Sequence, residues 1–448
     1  MCWFRKDLRL TGNPAWSAAC KAGHVFPVFI SEPELIRAAG KERLAQLYEN
    51  LESLHQELTQ LGGALHLLQG PAEKVIPKLI SELDVVKIFV NSDVSPYSTK
   101  RDTALEQKIK IPMQKHWGNL THPPGSVLTQ KGTLSKAFTP FYKKWKQIPL
   151  AQVPSFTSPE FLRVEKSFWK KPNTTTLHGL NSGSAGAKLR LEDFLSRSER
   201  YEELRNFPGR RGTSMLSSDL HFGTIGPLEI INKVNIDSHS QQMFTRQLAW
   251  RDWYAHLLFA TPEIVSKSAN PIYEKIQWKN NLLDFDMWKN GKTGYPIVDA
   301  GMRELRATGF MHNRVRMITA SFLIKDLLVD WRLGEKYFRR QLIDGDIAQN
   351  VGNWQWIAGT GFDAAPYFRV FNPVLQSKKF DPDGEYIRAW VPEIGSLQND
   401  QIHSPWTMSK KELLIHGVSL GTTYPLPLVD HAEARNRSLK AYKKVREI

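Results

Sequence analysis

Between residues 344 and 361 the chain reads DGDIAQNVGNWQWIAGTG, with two carboxylates, two asparagines and two tryptophans in eighteen positions that hold almost no bulky aliphatic side chain. What chemistry uses indoles, amides and acids side by side? A second stretch, FTRQLAWRDWYAHLL from residue 244, places Gln247, Trp250, Arg251 and Tyr254 at i, i+3, i+4 and i+7, on one stripe of a helix. Helix stripes are usually apolar core. This one joins an amide, an indole and a guanidinium, which suits gripping a flat heterocycle better than filling a core. In HNRVRMITASFLIKD, Asn313 and Met317 fall at i and i+4, with Arg314 and Arg316 on other sides. GTSMLSSDLHFG, 212 to 223, sets a glycine and then the hydroxyls of Thr213, Ser214 and Ser217 ahead of helix-compatible residues. Free N–H groups and hydroxyls at a helix start can hold a phosphate or pyrophosphate, although one cap alone would explain one hydroxyl.

The elements that must position these residues change character once along the chain. HVFPVFI (24–30), ALHLL (64–68) and VVKIFV (85–90) are short apolar runs separated by helical stretches such as ERLAQLYENLESLHQEL (42–58). That alternation predicts a parallel sheet with crossover helices. From 121 to 188 the chain is rich in Pro, Gly, Ser, Thr and Lys and reads as a connector lying over the surface. Beyond 189 strand signals nearly vanish, and helices are predicted at 244–259, 297–309 and 312–331. The expected division is therefore 1–120, α/β; 121–188, connector; and 189–448, mostly helical. At 448 residues, two domains are the natural expectation.

Composition narrows the function classes. Sixty Lys and Arg against 45 Asp and Glu leave a net charge of +15, which suits a polyanionic partner and also plain solubility. Two cysteines, Cys2 and Cys20, make neither a disulfide framework nor a CxxC metal site and fit a reducing compartment. His, Asp and Glu do not cluster at metal-ligand spacing, and neither GxGxxG nor GxxxxGK[ST] occurs. MCWFRKDLRL places charges where a signal peptide needs an apolar stretch, and no apolar run is long enough to span a bilayer. The expectation is a soluble, cytoplasmic protein with no metal and no membrane partner.

WFRKDLRL (3–10), GTSMLS (212–217), WRDWYAHL (250–257), KTGYPIVDAGMRELRATGFMHNRVRMITASFLIKDLLVDWR (292–332) and DGDIAQNVGNWQWIAGTGFDAAPYFRVFNP (344–373) closely resemble motifs of the photolyase and cryptochrome flavoproteins, especially the class I cyclobutane pyrimidine dimer photolyases. The resemblance runs over nearly the whole chain. It implies a Rossmann-like α/β antenna domain, a connector and an all-α domain that holds FAD. It also implies light-driven repair of pyrimidine dimers in DNA by electron transfer from excited reduced FAD, carried out by a monomer. Flavin contacts would come from Tyr201, Thr213, Ser214, Met215, Leu216, Ser217, Phe244, Arg251, Arg316, Asp344, Gly345, Asp346 and Asn350, with Arg316 paired to Asp344. Asn350 matches the amide that faces flavin N5; plant cryptochromes resemble the pattern with an acid there and many animal ones with a thiol, so Asn350 points to repair. Trp354, Trp331 and Trp278 match a three-tryptophan chain that carries electrons in from the surface to activate the flavin.

For the DNA lesion, Trp250 and Trp356 match the flanking indoles, and Arg205, Asn313, Arg314, Met317 and Gln376 further lesion or phosphate contacts. Relatives that repair the six-four photoproduct carry histidines where this chain has Asn313 and Met317. Gln247 stands where the cyclobutane enzymes have a glutamate; it can accept from a pyrimidine N3–H and donate to O4, but it offers neither a charge nor a proton. NSDVSPYSTKRD (91–102) looks more like the segments of relatives with a deazaflavin antenna than those with a folate. The alternative of a blue-light receptor without repair is disfavoured by Asn350 and by the full lesion-contact set.

Overall fold

The computed structural model describes residues 1–164, 168–170, 181–235 and 237–447. The predicted alternation near the N-terminus folds into one parallel sheet of β1 (Cys2–Phe4), β2 (Pro27–Ser31), β3 (His66–Gln69), β4 (Ile88–Asn91) and β5 (Met113–His116), in the order β3-β2-β1-β4-β5. Side chains alternate across the pleat. Cys2, Phe4, Phe29 and Phe89 enter one core with Trp16, Leu51, Leu54 and Leu58, while Trp3, Val28, Ile30, Ile88 and Val90 enter another with Ile76, Leu79 and Leu105. Burial on both faces is why the strands read as continuous apolar runs. Strand β5, MQKH, was not predicted, because an edge strand needs no such run.

Five helices carry most of the candidate residues: α1 (His239–Ala260), α2 (Asn313–Ser321), α3 (Trp331–Gln341), α4 (Ile347–Ala358) and α5 (Pro373–Phe380). Each start has a local cause. Ser238 accepts the N–H of Gln241, His312 that of Arg314, Asp330 that of Arg332, and Asn372 that of Leu375. The single helix predicted over 312–331 is interrupted. A π-helical turn occupies Phe322–Asp326, Leu328 adopts a left-handed φ of 53°, and Asp330 caps a fresh helix. Periodicity alone does not show the break, because the apolar pattern continues through it.

The described chain forms two compact units. The first comprises Met1–Tyr201, Ser214–Pro262 and Ile343–Gln349; the second Glu202–Thr213, Glu263–Leu342 and Asn350–Ile448. The stretch expected to lie over the surface is partly internal. Phe138, Phe141 and Trp145 are buried on one face of a short helix, and Asp252 of α1 accepts the N–H groups of Thr121 and His122 and the Trp145 indole N–H at 2.8–3.2 Å. Polar composition hid three aromatics at helical spacing. Residues 165–167 and 171–180 of that stretch lie outside the described residues.

In the second unit, the helix His431–Arg446 packs on the π-helical turn. His431 Nδ1 lies 2.6 Å from the buried Asp326 carboxylate, and the Tyr442 hydroxyl donates to the Ala358 carbonyl at the end of α4. Lys325 is fully buried, donates to the same carbonyl at 2.9 Å and sits 3.6 Å from the centre of the Tyr442 ring. Among the described residues no helix is long and apolar enough to cross a membrane, and no group of three His, Cys, Asp or Glu could hold a metal ion.

Candidate flavin and DNA site

In the first unit, α1 shows its polar-aromatic stripe doing two jobs. Gln247 donates one side-chain N–H to the Met243 carbonyl one turn back, at 3.1 Å, which leaves its amide oxygen and second N–H to present. Trp250 already has one face covered, stacked on Phe138 with ring centres 3.7 Å apart and planes 11° from parallel. Tyr254 is buried. Arg251 donates to the carbonyls of Asn119 and Leu220 and so braces the unit from inside, a use that spacing did not suggest. Half of the stripe is thus packing, and its outward part is Gln247 with one edge and face of Trp250.

Phe244, on the same helix, meets the Tyr201 ring edge-to-face at 5.6 Å and Phe194 at 4.5 Å. The hydroxyl-rich segment turns sharply at Met215, which takes a left-handed φ of 56°, and the Leu216 N–H donates to the Ser214 hydroxyl at 3.4 Å. The helix that follows, Ser217–Phe222, has no side-chain cap. Its His221 Nδ1 is buried without a hydrogen-bond partner, and burial together with Arg43 and Lys6 pushes that imidazole down to about 3. At the other edge, the Asp346 N–H donates to the Asp344 carbonyl at 2.6 Å, folding the chain tightly about Gly345. The Asp346 carboxylate accepts the N–H groups of Ala348 and Gln349 at the start of α4, with Lys6 Nζ 3.8 Å away. An uncapped turn with serine hydroxyls, an orphaned imidazole nitrogen, aromatic edges and an acid pair offer the donors and acceptors that a nucleotide-bearing aromatic ligand such as FAD uses.

In the second unit, Asn313 stands exposed at the start of α2 with its side-chain N–H 3.8 Å from the Met317 sulfur, so the two residues share one face as their spacing requires. Arg314 donates to Asn206 Oδ1 at 2.8 Å, and Arg316 donates to the Met311 carbonyl at 2.7 Å. Trp356 and Gln376 are half-buried. The Asn350 amide is buried and donates to both the carbonyl and the carboxylate of Glu335, at 2.9 Å each. Glu335 is itself buried, which raises its carboxyl above the usual range, while Arg339 at 2.8 Å opposes that rise. Sequence reading missed Glu335. Its i, i+4 relation to Arg339 looks like an ordinary surface ion pair, and only burial reveals otherwise.

The three matched tryptophans also belong to this unit. Trp354 and Trp331 are buried, and Trp278 is partly exposed among Tyr273, Tyr367 and Tyr442. Trp354 packs so closely on α3 that a Cβ at Gly334 would lie 2.2 Å from its indole. Trp288, edge-to-face with Trp354 at 6.3 Å, joins the same aromatic cluster.

Family models match residues 1–160 as DNA photolyase and residues 244–444 as the FAD binding domain of DNA photolyase. The chain belongs to the DNA photolyase family. It is similar to the deoxyribodipyrimidine photo-lyase of Agrobacterium fabrum, with 41% identity across 99% of this chain and 98% of that one. Among solved structures, a bacterial class III photolyase from Agrobacterium tumefaciens has a TM-score of 0.91 at 39% identity, covering 100% of this chain and 97% of the other. A Synechocystis cryptochrome has a TM-score of 0.90 at 30% identity, covering 98% of each chain. The photolyase family fold thus accounts for the α/β and helical parts, and it makes the chain a FAD protein. The class III name of the solved neighbour stands beside motifs that resemble class I enzymes.

Proposed function

We propose that this photolyase is a deoxyribodipyrimidine photo-lyase that repairs cyclobutane pyrimidine dimers in DNA. Bound reduced FAD, excited by blue light, would supply the electron that splits the dimer. The chain's own residues bind, orient and protect. Tyr201, Phe244, Ser214, Met215, Leu216 and Ser217 hold the ligand's aromatic and phosphate parts together with Thr213, Arg251, Arg316, Asp344, Gly345 and Asp346. The observation that carries the reading is Asn350, whose NH₂ is committed to Glu335. Its amide oxygen is thereby left as a neutral acceptor for a ring N–H, and an anionic ring beside it is not repelled.

Trp250 and Trp356 flank the extruded lesion, whose weakened pairing lowers the cost of flipping. Asn313, Met317 and the Gln247 oxygen face its edges, while Arg205, Arg314 and Gln376 hold the strand. Trp278, Trp331 and Trp354 pass electrons inward from the surface to activate the protein. The net charge of +15 favours DNA as partner, with affinity that falls steeply as salt rises. We also propose that the protein acts as a cytoplasmic monomer and that any antenna is a deazaflavin.

The likeness to a cryptochrome favours a second reading, a blue-light receptor without repair. One experiment separates the two: reduce the protein anaerobically, add an oligonucleotide with a single cyclobutane thymine dimer, illuminate, and follow recovery of thymine absorbance against a dark control. Light-dependent recovery is the expected result. Tight dimer binding without recovery would replace repair by reception or by another photoproduct.

A further inference from the structure

Arg314 is held in a way that leaves its charge intact. Among the described residues its hydrogen-bond partner is a neutral amide, Asn206 Oδ1 at 2.8 Å, and no carboxylate pairs with it. Its guanidinium carbon lies 4.2 Å from the centre of the Phe380 ring. Phe380 is buried at the end of α5, braced edge-to-face by Phe207, and its ring also carries Lys379 Nζ at 5.4 Å. Asn206 and Phe207 are adjacent in sequence, so one short segment supplies both the amide and the brace. Burial and the nearby Arg205 guanidinium both act against the charge on Arg314. A guanidinium kept beside other cations, fixed by an aromatic face and an amide rather than by an acid, is preorganised for an external anion.

We infer that Phe380 and Asn206 are positioning residues that fix the Arg314 guanidinium, uncancelled, for a backbone phosphate of the DNA. The inference rests on the reading of Arg314 as a DNA contact. Neither residue touches the lesion. Both act by removing rotamer freedom that Arg314 would otherwise lose on binding.

The test measures dark binding of a fluorescent oligonucleotide containing one cyclobutane thymine dimer across a salt series, together with KM and kcat of light-driven repair. Arg314→Ala is expected to weaken binding at least tenfold and to make the logarithmic salt slope shallower by about 0.9, one phosphate contact. Asn206→Asp keeps the hydrogen bond but neutralises the guanidinium, and should give the same shallower slope. Phe380→Leu keeps the charge but frees it; binding should weaken several-fold at unchanged slope, with the loss in KM rather than kcat, and Phe380→Tyr should restore it. Wild-type affinity and slope in both Asn206→Asp and Phe380→Leu, with Arg314→Ala impaired, would overturn the positioning role. Wild-type binding by Arg314→Ala would instead remove the DNA contact on which that role depends.

Discussion

The Asn350 side chain donates both of its N–H groups to Glu335, one to the backbone carbonyl and one to the carboxylate, at 2.9 Å each. Both partner atoms only accept while the carboxylate is ionised, so the orientation of the amide is decided by chemistry. Asn350→Asp would put a second acid against a buried one and remove both N–H groups donated to Glu335, leaving Arg339 to hold the carboxylate. We expect a loss of about 1–3 kcal/mol in stability and weaker accumulation of reduced flavin under anaerobic illumination. Photoreduction at the wild-type rate and extent would remove the role assigned to the amide.

Trp354 owes its place on α3 to a missing methyl group. A Cβ at position 334 would overlap its indole, so Gly334→Ala should destabilise the fold by about 1–3 kcal/mol. Trp331→Phe and Trp278→Phe should each abolish photoreduction of oxidised protein yet leave repair by chemically reduced protein active. Flash absorption on both preparations checks this. Equal loss of both activities would argue for a packing role only.

Gln247 has one N–H committed to the Met243 carbonyl and presents its oxygen and its second N–H to its surroundings. Gln247→Glu gives up that bond but gains a charge when ionised or a transferable proton when protonated. Repair per absorbed photon should rise, by about twofold or more, with little change in dark affinity for the dimer. A lower yield would show that the neutral amide is the better partner for the lesion in this protein.

Glu304, buried beneath the start of α2, accepts the Tyr386 hydroxyl at 2.5 Å, and burial pushes its carboxyl up to about 7, against an ordinary 4.5. The folded state therefore binds more protons than the unfolded one between those values. Stability from this group is fully present below about pH 4.5 and is lost as pH rises through 7, up to about 3 kcal/mol in all. Glu304→Gln keeps an acceptor for Tyr386 and should remove this fall in stability between about pH 4.5 and 7. Denaturant midpoints from pH 5 to 8 provide the measurement; a wild-type pH slope in the variant would contradict the assignment.

The fold was legible where periodicity is strong and local. Strands β2 to β4 and helix α1 came directly from alternation, because each buries a face whose composition shows. The break at Phe322–Asp326 did not, since its cause is Asp330 capping and contacts from a segment a hundred residues away. At the site, Asn313 and Met317 meet as their spacing implies, whereas Arg251 turned out to brace carbonyls. Glu335, Asn206 and Phe380 had no sequence signal of their own. Each acts through a neighbour that tertiary packing alone supplies.

The turn that leads into Trp331 is held by Lys325 and Asp326, and their partners His431, Arg437 and Tyr442 are synthesised more than a hundred residues later. Burial holds the Lys325 ammonium well below the usual lysine range, and among the described residues no acid pairs with it. Before the helix His431–Arg446 arrives, that cation has water instead of an aromatic face. We therefore expect the turn before Trp331 to gain its full set of buried partners only after those residues have emerged, and the aromatic chain to become fixed no earlier.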